Sequence, residues 1–223
     1  MTKNVLLSWS GGKDSALALY RVVHKSEYHI KALLTTLTAG YDRISMHGVR
    51  RELLEQQAHS LGLPLQILTI PQNCTDEEYD SLMRETLEKH LTQGVTDVVF
   101  GDVFLEDIRS YREERLAEVA MKGVFPLWGM DTCQLAQDFL NLGFKAVLVC
   151  VDTHKLDGGF AGRTYDENLL ADLPPGIDPC GEHGAFHTFV YDGPIFHHRI
   201  DFQVGETVLR EGRFQFCDLI PRG

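Results

Sequence analysis

The stretch Ser8-Trp9-Ser10-Gly11-Gly12-Lys13-Asp14-Ser15 limits this chain more than any other. Val5 to Leu7 before it form a short apolar run of the kind buried as a strand. After it, Ala16, Leu17, Ala18, Leu19, Val22 and Val23 form an apolar helical stripe. A chain that passes from strand to helix within a few residues must turn sharply, and Gly11 and Gly12 accept positive φ without a Cβ clash. The turn ends at a helix N-terminus, where unpaired N–H groups and the positive end of the helix dipole favour an anion. Lys13 adds a full positive charge, Ser10 and Ser15 add hydroxyl donors, and Asp14 adds a carboxylate suited to Mg²⁺. The segment reads as a cradle for phosphate. Six specified residues in succession match by chance on the order of one in 10⁵ chains of this length. The plain alternative, a glycine turn with an exposed lysine, leaves the order strand, turn, helix unexplained. A Walker A loop would need glycine where Leu7 stands, and no G-x-G-x-x-G follows a strand, which removes the main support for hydride transfer on NAD.

The rest of the composition narrows the class. With 223 residues and 43% hydrophobic content, the chain can bury one large domain, or a domain and an appendage, without staples. Cys74, Cys133, Cys150, Cys180 and Cys217 are odd in number and form no C-x-x-C pair, which points to reduced thiols in the cytoplasm rather than a disulfide framework. No signal-like or membrane-length apolar run is present, so no membrane association is expected. A formal charge of −11 argues against a nucleic-acid surface, because phosphate backbones are gripped through Lys and Arg. Oligomeric state is not legible.

Periodicity predicts alternating strands and helices. Strands are expected over His29–Thr38, Leu65–Ile70, Asp97–Phe100, Val124–Leu127 and Lys145–Val151. Helices are expected over Gly48–Leu61, from Thr75 to about Leu91, from a capping box at Ser110–Glu113 to Lys122, and around Leu135, Phe139 and Leu142. Such alternation with short connections predicts an α/β fold, a doubly wound parallel sheet over residues 1–130, followed by a smaller α+β lobe over 131–223. In that class ligands sit beyond the carboxyl ends of the strands. Backbone groups around Thr36 are therefore placed to read an adenine edge. Gly101 and Asp102 follow the fourth strand, and Asp102 either contacts ligand or Mg²⁺ or caps its turn. His47, at the expected helix entry, either contacts ligand or caps the helix. Further on, Asp178-Pro179-Cys180-Gly181-Glu182-His183-Gly184-Ala185-Phe186-His187-Thr188 crowds ionisable residues between turn formers, a composition typical of functional loops. Cys180, His183 and His187 have C-x-x-H-x-x-x-H spacing, but three ligands without a second cluster are incomplete for structural zinc.

Two segments carry a resemblance. Ser10 to Ser15 after a strand resembles the PP-loop of the ATP pyrophosphatases, adenine nucleotide alpha hydrolase-like proteins that cleave ATP between its α and β phosphates. Cys180 to Phe196 resembles the C-terminal signature of the diphthine–ammonia ligase (diphthamide synthase) family, whose usual form runs G-E-G-G-E-Y-E-T-F-V-x-D-x-P-L-F. Val98–Asp102, Pro126–Trp128 and Gly143–Asp152 resemble that family's intermediate blocks, so the likeness spans nearly the whole chain. It departs at His183, Ala185 and His187, where the usual form has Gly, Glu and Glu.

The resemblance implies an ATP-dependent ligase that adenylates a carboxylate and transfers ammonia to it, releasing AMP and pyrophosphate. Its substrate by resemblance is diphthine on elongation factor two; the alternatives are another carboxylate handled by the same chemistry, or ATP binding without turnover. Implied roles are catalysis for Lys13, Asp14 and Glu182, with Asp14 also holding Mg²⁺. ATP contacts fall to Ser10, Gly11, Gly12, Lys13, Asp14, Ser15, Thr36, Gly101 and Asp102, and substrate contacts to His47, Glu182, His183, His187 and Thr188. With no glutaminase-type cysteine after Met1, free ammonium is the expected nitrogen donor.

Overall fold

A computed structural model describes residues 2–44 and 47–222. In chain order the elements are β1 (Lys3–Ser8), α1 (Lys13–Val23), β2 (Tyr28–Thr38), β3 (Arg43–Ile44), α2 (Arg51–Leu61), β4 (Leu65–Ile70), α3 (Asp76–Thr92), β5 (Val95–Val99), α4 (Glu106–Glu118) and β6 (Lys122–Val124). There follow α5 (Thr132–Asn141), β7 (Lys145–Asp152), β8 (Thr164–Tyr165), α6 (Glu167–Asp172), β9 (Phe186–Asp192), β10 (Phe202–Arg210) and β11 (Phe214–Pro221). They group into two compact units. One contains residues 2–10, Asp14–Asp42 and Leu63–Gly129; the other contains Gly11–Lys13, Arg43–Gly62 and Met130 onward.

In the first unit the strands lie in the order β4, β2, β1, β5, β6, and every pairing is parallel. Successive strands run outward from β1 on one side and restart beside it on the other, which makes the boundary between β1 and β5 the topological switch point of a doubly wound sheet. Strands covered on both faces must be apolar throughout, and Val5, Leu6 and Leu7 are fully buried. On one face Leu6, Ala32, Leu34 and Val98 pack with Leu87 of α3 and Leu116 of α4. The predicted capping box at Thr75–Glu78 forms in both halves, with Thr75 Oγ1 accepting from Glu78 N at 3.2 Å and Glu78 Oε2 from Thr75 N at 3.1 Å.

Three boundaries differ from expectation. α2 begins at Arg51 rather than Gly48, because Gly48 is left-handed (φ 69°) and Arg50 is extended. The Ser110–Glu113 pattern caps nothing: α4 already runs from Glu106, and Ser110 lies one turn inside it. That helix stops at Glu118, where left-handed Ala120 (φ 56°) turns the chain. The next strand is consequently Lys122–Val124, and residues 125–129 form a turn instead of the strand expected to end at Leu127.

The second unit is built on an antiparallel sheet in the order β10, β11, β7, β8, with β9 on the other edge of β7. β7 is buried from Ala146 to Asp152. Two polar clamps fix its neighbours. Asp152, nearly inaccessible, accepts from Arg213 Nε at 3.0 Å and Nη2 at 2.6 Å. Asp218 on β11 accepts from Arg50 Nε and Nη2 at 3.1 and 2.6 Å, and from Arg43 Nη1 at 2.8 Å. The arginines hold both carboxyls down to about 2. Arg43 also donates to Gly48 O at 2.7 Å, so both ends of the segment bearing His47 are latched to one carboxylate.

Candidate functional site

The switch point brings the chain after β1 and the chain after β5 to the same edge of the first unit's sheet. Gly101, directly beyond β5, packs so closely on α1 that a Cβ would lie 2.8 Å from the Asp14 carbonyl carbon and 2.9 Å from Ser15 N. Only glycine fits at this approach to the Asp14–Ser15 turn. Ser10 and Ser15 bring their hydroxyls to 3.3 Å of each other, and Asp14 remains partly exposed at the start of the helix. The Thr35 hydroxyl donates to Trp9 O, tying β2 to the strand end that enters the turn. Thr36 follows in β2, half-buried and paired with Leu68. Asp102 forms an ion pair with Arg112, Nε to Oδ2 at 2.8 Å, and that guanidinium stacks 4.4 Å above the Phe100 ring.

In the second unit the glycine turn is held from outside. Gly11 is left-handed (φ 74°), and its carbonyl accepts from Val190 N at 2.9 Å and Gln57 Nε2 at 3.1 Å. Gln57 Nε2 also donates to Val190 O at 2.6 Å, and the side chain is completely buried. A Cβ on Gly11 would stand 2.6 Å from Gln57 Oε1, so a side chain there would displace the Gln57 amide as well as strain φ. Lys13 N donates to Thr188 Oγ1 at 3.0 Å. Each bond spares a buried polar group the cost of about 1–3 kcal/mol for going unpaired. Gln57 supports the glycine turn, a part the sequence alone did not assign it. Its signal was present: it falls on the apolar stripe of Leu53, Leu54, Ala58 and Leu61, where a polar side chain must find buried partners.

His47 and His187 come together, their rings 4.6 Å apart, with His47 Nδ1 3.3 Å from Thr188 O. Burial lowers His47 to about 3, with His187 and Lys13 pushing the same way. Burial and then Lys13 lower His187 to about 4. The pair is thus neutral at ordinary pH. Lys13 itself is 2% exposed, its ammonium 5.9 Å from the centre of the Phe186 ring. Lys13, His47, His187 and Thr188, read separately from sequence, belong to one cluster.

The 178–184 loop is organised by Asp178, whose carboxylate accepts from Cys180 N at 2.8 Å, Glu182 N at 3.3 Å and the Thr132 hydroxyl at 2.6 Å. Gly181, His183 and Gly184 are all left-handed, with φ of 73°, 58° and 75°. His183 thus occupies a conformation that suits glycine, the residue the usual signature has there. It is exposed, and its carbonyl accepts from Lys155 Nζ. The Cys180 thiol is directed at Thr132 O, 3.4 Å away. Among the described residues no three His, Cys, Asp or Glu side chains are grouped to hold a metal, and all five cysteines are free thiols.

Family models describe both halves of the chain: a diphthamide synthase N-terminal domain matches residues 2–123, and a diphthamide synthase C-terminal domain matches residues 131–218. The chain belongs to the diphthamide synthase family. Relatives named diphthine–ammonia ligase include one from Danio rerio, 27% identical, with 90% of this chain and 86% of the relative covered. Another, from Homo sapiens, is 24% identical, with coverage of 90% and 83%. A third, from Schizosaccharomyces pombe, is 26% identical; the match takes in 89% of this chain and 36% of that longer protein. The N-terminal family domain holds the glycine turn, the His47 segment, Gln57 and the Gly101 turn, and the C-terminal one holds the 178–188 loop and β9.

Proposed function

We propose that this chain is an ATP-dependent amide ligase that adenylates the carboxylate of diphthine on an elongation factor and passes ammonia to it, forming AMP and pyrophosphate. The observation that carries this reading is the glycine turn at a helix N-terminus, fixed by Gln57, Val190 and Thr188 within a chain of the diphthamide synthase family.

A free carboxylate is a poor acceptor for ammonia. Attack of its oxygen on the α-phosphorus of ATP forms an acyl–phosphate bond and expels pyrophosphate; ammonia then attacks the acyl carbon, AMP leaves, and the nitrogen sheds a proton. The protein's part is positioning and charge stabilisation. The amides around Gly11 and Gly12, with Ser10 and Ser15, hold the polyphosphate, and Lys13 stabilises charge developing on the departing pyrophosphate. Backbone groups at Thr36 read the adenine, and Gly101 with the Arg112-tied Asp102 shapes the neighbouring turn. The residues fit Mg²⁺ as well: a partly exposed carboxylate beside a phosphate cradle suits an ion that takes most of its ligands from phosphates and water. Asp14 would hold it, and it would neutralise phosphate charge. Glu182 holds the substrate or takes the ammonium proton, and His47, His183 and His187 contact substrate, with Thr188 acting through the Lys13 amide. All five thiols being free agrees with work in the cytoplasm, and no helix among the described residues is long and apolar enough to cross a membrane.

The test is product analysis of Mg-ATP, ammonium and diphthine-bearing elongation factor, with Lys13→Ala as control. The amide, AMP and pyrophosphate should appear together, and Lys13→Ala should slow them by about 10² to 10³. ADP and phosphate in place of AMP, or an intact carboxylate despite ATP binding, would overturn the assignment.

A further inference from the structure

The hydrogen bonds of the His47–His187 pair fix what it can hold. His47 Nδ1 lies 3.3 Å from Thr188 O. A carbonyl oxygen only accepts, so Nδ1 carries the ring proton and Nε2 of the neutral ring keeps a lone pair. This tautomer is held from both sides. Thr188 is fixed in β9 opposite Leu148, and its hydroxyl accepts from the Lys13 amide at 3.0 Å. Gly48, next to His47, packs so closely on β11 that a Cβ would stand 2.7 Å from Phe216 Cδ1. The His187 ring lies against that of His47, tilted by 36°, and as a neutral imidazole it also has one lone-pair nitrogen. Among the described residues, neither nitrogen of His187 nor His47 Nε2 has a hydrogen-bond partner. Both rings are half-buried, so a small molecule can reach them.

An occupant must therefore suit two lone pairs. An anion is repelled by them unless the rings take up protons, which burial and the Lys13 ammonium oppose. A cation meets the charge of Lys13, and no carboxylate acts on either ring, because Ala185 and His187 stand where the usual signature has glutamates. What fits is a small, neutral hydrogen-bond donor. Ammonia is the one reactant of the proposed ligation with that character. With two N–H groups given to the imidazoles, its own lone pair stays free to attack an acyl carbon.

We propose that His47 and His187 form the nitrogen-donor site, taking ammonia as neutral NH₃ through His47 Nε2 and the lone-pair nitrogen of His187 and excluding ammonium. This narrows the substrate contact given to these histidines and rests on the ligase reading. ATP–pyrophosphate exchange with diphthine-bearing elongation factor and no ammonia reads adenylation alone; its absence would end the ligase reading, and this site with it. With exchange present, KM for total ammonium should fall about tenfold per pH unit between roughly 6.5 and 8.5, following the NH₃ fraction, while KM for ATP stays nearly level. This profile needs no variant. His47→Leu, which removes the acceptor, should raise KM for ammonia by about tenfold or more and KM for ATP far less. His47→Gln, whose amide can donate to Thr188 O and still offer an oxygen acceptor, should recover most of that loss. A KM for total ammonium that does not change with pH would mean that the cation is bound, and equal rises in both constants for His47→Leu would make His47 a support of the turn alone. Either result would overturn the proposal.

Discussion

The two units reach order by different routes. In the first, apolar side chains of β1, β2 and β5 bury themselves against α3 and α4, and Leu6, Val98 and Val95 are almost wholly inaccessible. In the second, segments far apart in sequence are tied by polar groups, of which Gln57, Thr188 and Asp152 are buried: Gln57 to Gly11 and Val190, Thr188 to Lys13, Asp218 to Arg43 and Arg50, Asp152 to Arg213. Apolar burial is non-directional and tolerates small shifts; a hydrogen-bonded clamp fixes atoms to tenths of an ångström. Two of these clamps, through Gln57 and Thr188, fix the glycine turn itself.

Mutations should separate the two routes. Leu6→Ala should carry the largest effect, about 3–5 kcal/mol of stability by urea unfolding, because the site is closed on all sides. Gln57→Leu keeps the volume but strips donors from Gly11 O and Val190 O, and should cost about 2–3 kcal/mol while raising KM for ATP. If instead Gln57→Leu left both stability and KM unchanged, the contrast between packing and clamping would fail.

Acid should find the second unit's clamps in two stages. His47 and His187 are neutral in the fold but have an ordinary value of 6.5 when unfolded, so the unfolded chain binds more protons below that pH. Their contribution is complete above pH 6.5 and is lost as pH falls toward 4 and then 3. Asp152 and Asp218, at about 2 against an ordinary 3.8, contribute fully above pH 4 and lose it as pH falls toward 2. Unfolding free energy measured across pH should therefore slope from 6.5 downward, and His47→Gln with His187→Gln should flatten the upper stage alone. The smallest effect is a gain. His183→Gly should add about 0.5–1 kcal/mol by relieving the left-handed backbone, and no gain would show that the Lys155 contact already offsets the strain.

This division also explains what was legible. β4 matches its predicted bounds and β2 and β7 lie within a residue of theirs, because a strand's apolar run is a local property. The Thr75 capping box was readable for the same reason, while the identical pattern at Ser110 misled because helix α4 begins a turn earlier on acidic residues. At the site, the glycine turn announced itself in six adjacent residues. Its support did not, since Gln57 and Val190 are 133 positions apart and nothing in either neighbourhood names the other. His47 and His187 were each visible as single histidines, and only folding made them a pair.

The bond from the Lys13 amide to Thr188 spans 175 positions. At a synthesis rate of roughly 5–20 residues per second, the turn waits about ten to thirty seconds on the ribosome before the strand that fixes it has been made. A nascent chain can assemble its parallel sheet during that interval, yet its glycine turn stays without the Thr188 and Val190 contacts. Completion of the turn thereby waits on β9, and products truncated before Thr188 carry the motif without its finished form.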